Sequence, residues 1–323
     1  MTTSRARRTH GLRVLPGGGD LAVRVSLDYE QTLFRRNYRR PVLVAAAVTA
    51  EAEDVARWSA AGALDLLGAD VAARALNRIA AEGAEPLMLQ AIVRGGRGDD
   101  ARRATDGMAE ACLAADCAFI DELLPAQAGQ GGGELLTVMA AATGVVEKSR
   151  MMDVRRFEPG DAVLAIGSDR LWPDTLDPAR QALRTAAPDK PLGDLGYTAA
   201  EALVRPAPVL AGSLQQVLRQ YHVKRVVHAM TPVEADGLAA ALERLTAGRF
   251  EVRRGKPRRA YSALMAALDL PESVEGADEG HLAGIGFLMV AGSPFAAAIA
   301  RRLRRAGHPV YQFGRLAEAA SHS

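Results

Sequence analysis

Lysine, cysteine and aromatic residues are scarce in this chain of 323 residues. The two cysteines, Cys112 and Cys117, are too few for a disulfide framework or for a zinc site with four cysteine ligands. We interpret both as small core residues, which fits a reducing, cytoplasmic location. Lysine occurs only four times among 40 basic residues, a bias that we attribute to genome composition rather than to function.

Long apolar runs and a large net charge are also missing. No run approaches the roughly 18 to 20 apolar residues that cross a bilayer, and the net charge is only +2. We therefore expect neither a membrane nor a nucleic acid as a partner. The motifs of P-loops, zinc proteases and α/β-hydrolases are absent as well, so no catalytic residue is assigned.

The chain is long enough for two domains, because a single core stops growing at roughly 250 to 300 residues. A basic stretch without acids precedes Asp20. It predicts a flexible tail over residues 1–20, with a targeting peptide as the alternative. Strand and helix patterns alternate over the remainder, which indicates an α/β (α+β) architecture. A change of pattern near residues 169–174 separates an N-terminal domain, residues 21–170, from a C-terminal α/β domain, residues 171–323.

The N-terminal domain contains several recognisable patterns. A short apolar run with β-branched residues is typical of a buried strand, and stretches rich in alanine, leucine and arginine are typical of helices. The predicted segments are residues 41–47 (strand), 54–67 and 70–82 (helices), and 86–93 (strand). A long strand is expected over residues 134–147, after a glycine-rich loop at residues 126–133.

Two glycine-containing segments are more specific than these patterns. The first reads Gly68-Ala69-Asp70, continues to Asn77 and ends in Gly-Ala-Glu-Pro at residues 83–86. The second reads Gly-Val-Val-Glu-Lys at residues 144–148 and is followed by Pro-Gly-Asp at residues 159–161. Together they resemble the aminoimidazole ribonucleotide synthetase family, the phosphoribosylformylglycinamidine cyclo-ligases. Scattered identities extend the resemblance over nearly the whole chain.

The resemblance implies a fold, an activity and an oligomeric state. It implies a two-domain synthetase-like fold and a cytoplasmic enzyme of purine biosynthesis. Such an enzyme uses ATP and Mg²⁺ to convert formylglycinamidine ribonucleotide into aminoimidazole ribonucleotide. It also implies a homodimer, because family members build their dimer interface from N-terminal strands. The apolar strand over residues 135–146 would leave an unprotected edge in a monomer, which favours the same conclusion.

The positions that carry the family's chemistry differ in this chain. The family's Gly-Thr-Asp-Gly-Val-Gly-Thr-Lys loop falls on residues 45–53, which read Ala-Ala-Ala-Val-Thr-Ala-Glu-Ala-Glu. Its Asn-Asp pair becomes Asn77-Arg78. Its Gly-Pro-His-Ser-Asn-Gly-Tyr-Ser segment falls on residues 169–174, which contain no histidine. A later histidine–glycine segment loses its glycines and keeps the histidine, His228.

Loss of the loop argues against the family's reaction. A triphosphate is held by backbone N–H groups that glycine can present in a tight turn, while a lysine and carboxylate-bound Mg²⁺ neutralise its charge. Alanine and valine place Cβ atoms where phosphate oxygens would lie, and Glu51 and Glu53 add negative charge. We therefore predict a catalytically degenerate member that needs no cofactor. The alternatives are an active ATP-dependent cyclo-ligase, with ATP and Mg²⁺ as cofactors, and a kinase or synthetase from elsewhere in the superfamily.

A remnant site is predicted from Asp70, Asn77, Arg78 and His228. Asp70 and Asn77 lie two helical turns apart on one face, and Arg78 replaces an acid that the family places near metal and phosphate. Because a guanidinium pairs with phosphate in a bidentate fork, we expect a phosphorylated small molecule there and no metal ion. The alternative roles are structural: a helix N-cap for Asp70, a surface position for Arg78 and a hydrogen-bonded strand end for His228.

Overall fold

The computed structural model describes residues 12–15, 24–27, 38–121, 136–183, 189, 191–255, 267 and 276–318. The chain divides into two compact units. Unit 1 comprises Met1–Met151 and Pro208–Gln215, and unit 2 comprises Met152–Ala207 and Gln216–Ser323. Both units combine helices with a β-sheet, which confirms the predicted α/β (α+β) class. The predicted loop at residues 126–133 and most of the predicted basic tail lie outside the described residues.

The strands of unit 1 are β1 (Leu12–Leu15), β2 (Arg24–Leu27), β3 (Pro41–Thr49), β4 (Glu85–Arg94), β5 (Ala118–Ile120) and β6 (Thr137–Glu147). β1 pairs antiparallel with β2, so part of the segment predicted as a flexible tail forms a strand. The other four strands form a sheet in the order β3-β6-β4-β5. β6 therefore lies inside the sheet, and the prediction that this strand would be an unprotected edge is wrong. The edge strands are β3 and β5.

β3 is longer than predicted. It pairs with β6 along its whole length, from Pro41 opposite Glu147 to Thr49 opposite Met139. The strand predicted over residues 41–47 thus continues through Val48 and Thr49, and residues 45–49, on which the family's loop falls, are its second half. Their small and β-branched side chains fit the pleat of a sheet. Helix α1 (Ala52–Ala60) follows directly.

Helices α2 (Leu64–Ala81) and α3 (Asp100–Ala114) pack closely against each other. A Cβ atom at Gly68 would lie 1.8 Å from the carbonyl oxygen of Ala104, and one at Gly107 would lie 1.7 Å from that of Asp65. Both distances are far inside van der Waals contact, so the two glycines are what allows this packing. Gly68 therefore lies within a helix, and the break predicted there falls earlier, where Gly62 turns the chain with a φ of +64°.

The Gly-Val-Val-Glu-Lys segment also has a structural role in unit 1. A Cβ atom at Gly144 would lie 2.8 Å from the carbonyl oxygen of Glu85 on β4, so glycine allows the two strands to approach. Glu147 accepts hydrogen bonds from the backbone N–H groups of Arg39 and Arg40, at 2.8 and 3.0 Å. The N–H of Arg40 contributes most to holding the pKa of the Glu147 carboxyl below its ordinary value. The segment therefore anchors the start of β3.

The strands of unit 2 are β7 (Ala162–Gly167), β8 (Val227–Pro232), β9 (Phe250–Arg254), β10 (Ile285–Ala291) and β11 (Val310–Glu318). They form one antiparallel sheet in the order β8-β10-β7-β11-β9. The described helices after β7 are α4 (Pro173–Leu183), α5 (Ala199–Ala202), α6 (Ala211–Gln220), α7 (Gly237–Thr246), α8 (Glu279–Leu282) and α9 (Ser293–Arg305). None of the described helices is long and apolar enough to cross a bilayer.

β7 explains where the two units divide. It is the fully buried central strand of the unit 2 sheet, so unit 2 begins at Met152, ahead of the expected boundary at residues 170 and 171. Residues 208–215 then belong to unit 1 again. No pattern in the sequence marks this return, because it depends on side-chain contacts that form only in the folded chain.

Candidate functional site

The four predicted site residues are distributed over both units. Asp70, Asn77 and Arg78 lie on α2 of unit 1, and His228 lies on β8 of unit 2. Asn77 is 5% exposed. Its amide donates to the carbonyl oxygen of Pro208 at 2.8 Å and accepts from the backbone N–H of Leu210 at 2.8 Å. The side chain therefore holds the returning segment, residues 208–215, against α2.

Asp70 and Arg78 also have contacts that serve the fold. Asp70 is fully buried, and its carboxylate lies 3.8 Å from the guanidinium of Arg74, one turn later. Because α2 begins at Leu64, Asp70 lies in the helix interior, and its interpretation as an N-cap is wrong. Arg78 donates from Nη1 to the carbonyl oxygen of Ala47 at 2.8 Å. Its guanidinium thus contacts the part of β3 that stands in place of the family's loop.

The described part of unit 1 does not fit a complex of ATP with Mg²⁺. Residues 45–49 are extended and paired with β6, so their N–H groups do not converge in the concave turn that cradles phosphates. Glu51, the residue before α1, and Glu53, in its first turn, are exposed. No lysine precedes Lys148 in the sequence. No group of three or more histidine, cysteine or acidic side chains that could hold a metal ion occurs among the described residues.

The segment that follows β7 in unit 2 contains side chains that stack on one another. The guanidinium of Arg170 lies 3.9 Å from the ring centroid of Trp172, and this ring stacks on that of His281 at 5.4 Å. His281 is buried, with Nδ1 2.8 Å from Oδ2 of Asp174 and Nε2 donating to the carbonyl oxygen of Glu234 at 2.8 Å. Where the family has its Gly-Pro-His-Ser-Asn-Gly-Tyr-Ser segment, this chain has a packed stack.

His228 lies at the other end of β7. Its Nδ1 is 2.8 Å from Oδ2 of Asp161, the residue that precedes the strand. Both residues line a cavity of about 410 Å³, together with Lys224, Ser293 and Arg315. Sequence reasoning found His228 and the Pro-Gly-Asp turn, but it missed the other three residues. They come from separate segments, and no spacing in the sequence connects them.

Curated proteins of known name are related to this chain over most of its length. A phosphoribosylformylglycinamidine cyclo-ligase from Paraburkholderia phymatum is 28% identical over 254 residues, which cover 77% of this chain and 70% of that protein. Another from a Polaromonas species is 25% identical over 288 residues, which cover 87% of this chain and 81% of that protein. No protein-family model matches the chain. These relatives confirm the resemblance read from the glycine segments.

Solved structures show the same architecture. Thiamine-monophosphate kinase from Stenotrophomonas maltophilia superposes with a TM-score of 0.57 at 20% identity, covering 95% of this chain and 89% of its own. The hydrogenase maturation protein HypE superposes with a TM-score of 0.55 at 16% identity, covering 87% of this chain and 81% of its own. At these identities the likeness concerns the fold alone. It confirms the expected synthetase-like fold.

Proposed function

We propose that this chain, a relative of the phosphoribosylformylglycinamidine cyclo-ligases with an aminoimidazole ribonucleotide synthetase-like fold, does not catalyse ATP-driven cyclisation. It keeps the fold as a dimeric cytoplasmic protein for ligand binding or regulation, within or near purine biosynthesis. The alternative, an active cyclo-ligase that converts formylglycinamidine ribonucleotide into aminoimidazole ribonucleotide, requires a nucleotide site that the described residues of unit 1 do not offer.

The observation that carries this proposal is the pairing of residues 45–49 with β6. In the family these positions belong to the glycine-rich loop. Rebuilding a phosphate cradle here would require the second half of β3 to leave the sheet and to lose its ladder of hydrogen bonds. Arg78 opposes such a change, since its guanidinium donates to the carbonyl oxygen of Ala47. Removing even one preorganised donor from a catalytic site lowers the rate by about 10² to 10³, and most of the set is absent here.

The stack in unit 2 supports the same proposal. Arg170, Trp172 and His281 are each less than a tenth exposed. Opening a substrate loop after β7 would expose these side chains and break the bonds of His281 to Asp174 and Glu234. The cost is of the order of several kcal/mol. A reaction that needs this loop open is therefore disfavoured.

A turnover assay tests the proposal. The full chain is incubated with formylglycinamidine ribonucleotide, ATP and Mg²⁺, and ADP release is followed beside the Paraburkholderia phymatum relative as a positive control. We expect no more ADP release than in the same mixture without ribonucleotide. The rate should therefore be lower than that of the control by a factor of at least about 10³. Ribonucleotide-dependent ADP release within about tenfold of the relative would establish the active enzyme instead.

We also infer a homodimer that forms through the sheet of unit 1. A Cβ atom at Gly144 would lie 3.1 Å from Ile79 of α2, so α2 covers the side of the sheet on which Gly144 lies. Leu43, opposite Val145, lies on the other side and is 71% exposed. β3 is a nine-residue edge strand of the described sheet, and such an edge offers backbone groups to another strand. A second copy of this chain that pairs there would also cover Leu43.

Light scattering after gel filtration tests the dimer. At micromolar concentration we expect the mass of two chains for the native protein and of one chain for Leu43→Lys, which places a charge in the interface. Leu113→Lys is the matched control, because Leu113 on α3 is also exposed, at 54%, and lies outside the sheet. A monomeric native chain would contradict the inference.

A further inference from the structure

The cavity of unit 2 contains side chains of both charges. The polar side chains that line it are those of Glu158, Asp161, Lys224, His228, Ser293 and Arg315, and its volume is about 410 Å³. It lies before β7, whereas the stack of Arg170 lies after it. The six residues of β7 separate the two by roughly 20 Å. The cavity is therefore distinct from the stack of Arg170, although the family-like Pro-Gly-Asp turn and His228 line it.

His228 is oriented by a buried carboxylate. Asp161 is 3% exposed, and its Oδ2 accepts a hydrogen bond from the backbone N–H of Glu158 at 3.0 Å. The same oxygen is 2.8 Å from Nδ1 of His228. An ionised carboxylate only accepts hydrogen bonds, so Nδ1 is the donor. The ring is thereby fixed, and Nε2, which has no hydrogen-bond partner among the described residues, is available to a ligand.

Arg315 and Ser293 are positioned together on another side of the cavity. Nη1 of Arg315 donates to the carbonyl oxygen of Gly160 at 3.0 Å and to Oγ of Ser293 at 2.6 Å. The guanidinium is held by these two bonds, and its remaining N–H groups can donate further. Because Oγ of Ser293 accepts from Arg315, its own O–H can donate to a ligand. Two preorganised donors therefore adjoin each other.

Lys224 adds a third cationic or donor group. Its ammonium lies 5.7 Å from the ring centroid of Phe295, which also lines the cavity. The charges of Lys224 and Arg315 are matched by the carboxylates of Glu158 and Asp161, which also line the cavity. Oδ2 of Asp161 is already engaged by His228 and by the N–H of Glu158, so the donors of Lys224, Arg315 and Ser293 stay available to a ligand.

We propose that this cavity binds the phosphate group of a small phosphorylated metabolite, without a metal ion. Arg315, Ser293 and Lys224 reach the cavity from three different segments of the chain, so their donors approach an anion from several directions. Such an arrangement suits the three terminal oxygens of a phosphate monoester better than the two coplanar oxygens of a carboxylate. The volume is within the range of small-ligand pockets, about 300 to 1,000 Å³, and leaves room for a sugar beside the phosphate.

This site differs from the remnant site predicted from the sequence, although His228 is common to both. Asp70, Asn77 and Arg78 belong to unit 1, while every residue of the cavity belongs to unit 2. The unit 2 cavity depends on Lys224 and Arg315, and the remnant site depends on Arg78. Substitutions at these three positions therefore separate the two hypotheses, whereas a substitution at His228 does not.

Calorimetry with ribose 5-phosphate tests the cavity. The full chain is titrated in phosphate-free buffer containing a chelator, and inorganic phosphate and citrate are then tested as competitors. We expect saturable binding that weakens at least about tenfold in Lys224→Gln and in Arg315→Gln, as loss of a charged hydrogen bond implies. Arg301→Gln, an exposed residue of α9 outside the cavity, and Arg78→Asp should change the affinity less than twofold. Inorganic phosphate should compete.

Several results would overturn the proposal. The first is the absence of binding at about 10 mM ribose 5-phosphate, which means a Kd above the millimolar range. The second is binding that requires Mg²⁺, and the third is binding that is lost in Arg78→Asp and unchanged in Lys224→Gln. The fourth is competition by citrate that equals competition by inorganic phosphate. Thermal melting of each variant without ligand distinguishes lost binding from lost folding. Lys224 is exposed, so Lys224→Gln stays interpretable if Arg315→Gln is unstable. The outcome is independent of the ADP-release assay, which does not involve this cavity.

Discussion

The polar residues of α2 in unit 1 and those of the unit 2 cavity are used in opposite ways. On α2, Asn77 keeps the family's residue type, yet its amide is hydrogen-bonded to the backbone of residues 208–215. In the cavity, Lys224 and Arg315 match no family motif, yet they adjoin open space. In this chain, a residue type shared with the family, such as Asn77, therefore serves the fold. The capacity to bind a ligand has to be inferred from the geometry of the side chains.

The largest effect on stability is expected from a substitution of Gly68, the first residue of the family-like Gly-Ala-Asp segment. Gly68→Ala would place a Cβ atom 1.8 Å from the carbonyl oxygen of Ala104. We expect the free energy of unfolding to fall by about 3 kcal/mol, although alanine is the better helix former. Urea denaturation measures this. Gly248→Ala, where φ is +67° and no atom lies within 4 Å, should cost only about 1 kcal/mol. Equal losses would show that α2 and α3 can adjust.

A smaller effect is expected at Asn77. Asn77→Ala leaves the carbonyl oxygen of Pro208 and the N–H of Leu210 without this partner, and we expect a loss of about 2 kcal/mol in the free energy of unfolding. Gln215→Ala removes one short hydrogen bond, to the carbonyl oxygen of Ala84 at 2.6 Å, and one long one, to that of Gly83 at 3.5 Å. It should cost about half as much. Both values come from the same denaturation series. If Asn77→Ala were neutral, the amide would not hold the returning segment, and a ligand role would gain support.

The sequence predicted the fold better than the site, for a physical reason. Gly68 and Gly144 lie where two backbones approach closely, so the fold requires them regardless of activity, and they belong to the segments that carry the resemblance to the cyclo-ligases. The extension of β3 over Val48 and Thr49 was missed because the resemblance places the family's loop on these residues. The cavity was missed because Lys224, Ser293 and Arg315 meet only after the sheet of unit 2 has formed.

The smallest effect concerns Glu147, the acid of the family-like segment in unit 1. Hydrogen bonds from the N–H groups of Arg40 and Arg39 lower the pKa of its carboxyl in the folded chain. The stabilisation is therefore present above the pKa of the unfolded chain and is lost as the pH falls through the lowered pKa. We expect Glu147→Gln to be less stable than the native chain at about pH 7, with the difference shrinking towards about pH 3. A difference that does not vary with pH would exclude this role.

Binding of ATP with Mg²⁺, followed by thermal melting, tests most directly the claim that unit 1 has lost its nucleotide site. A ligand at 100 times its Kd stabilises the folded state by about 2.7 kcal/mol, which raises the melting temperature by about 5 °C or more. We predict that the melting temperature of this chain does not change at millimolar ATP and Mg²⁺. The Paraburkholderia phymatum relative is the positive control, and its melting temperature should rise. A shift of that size in this chain, dependent on Mg²⁺ and retained in Lys224→Gln, would contradict the account.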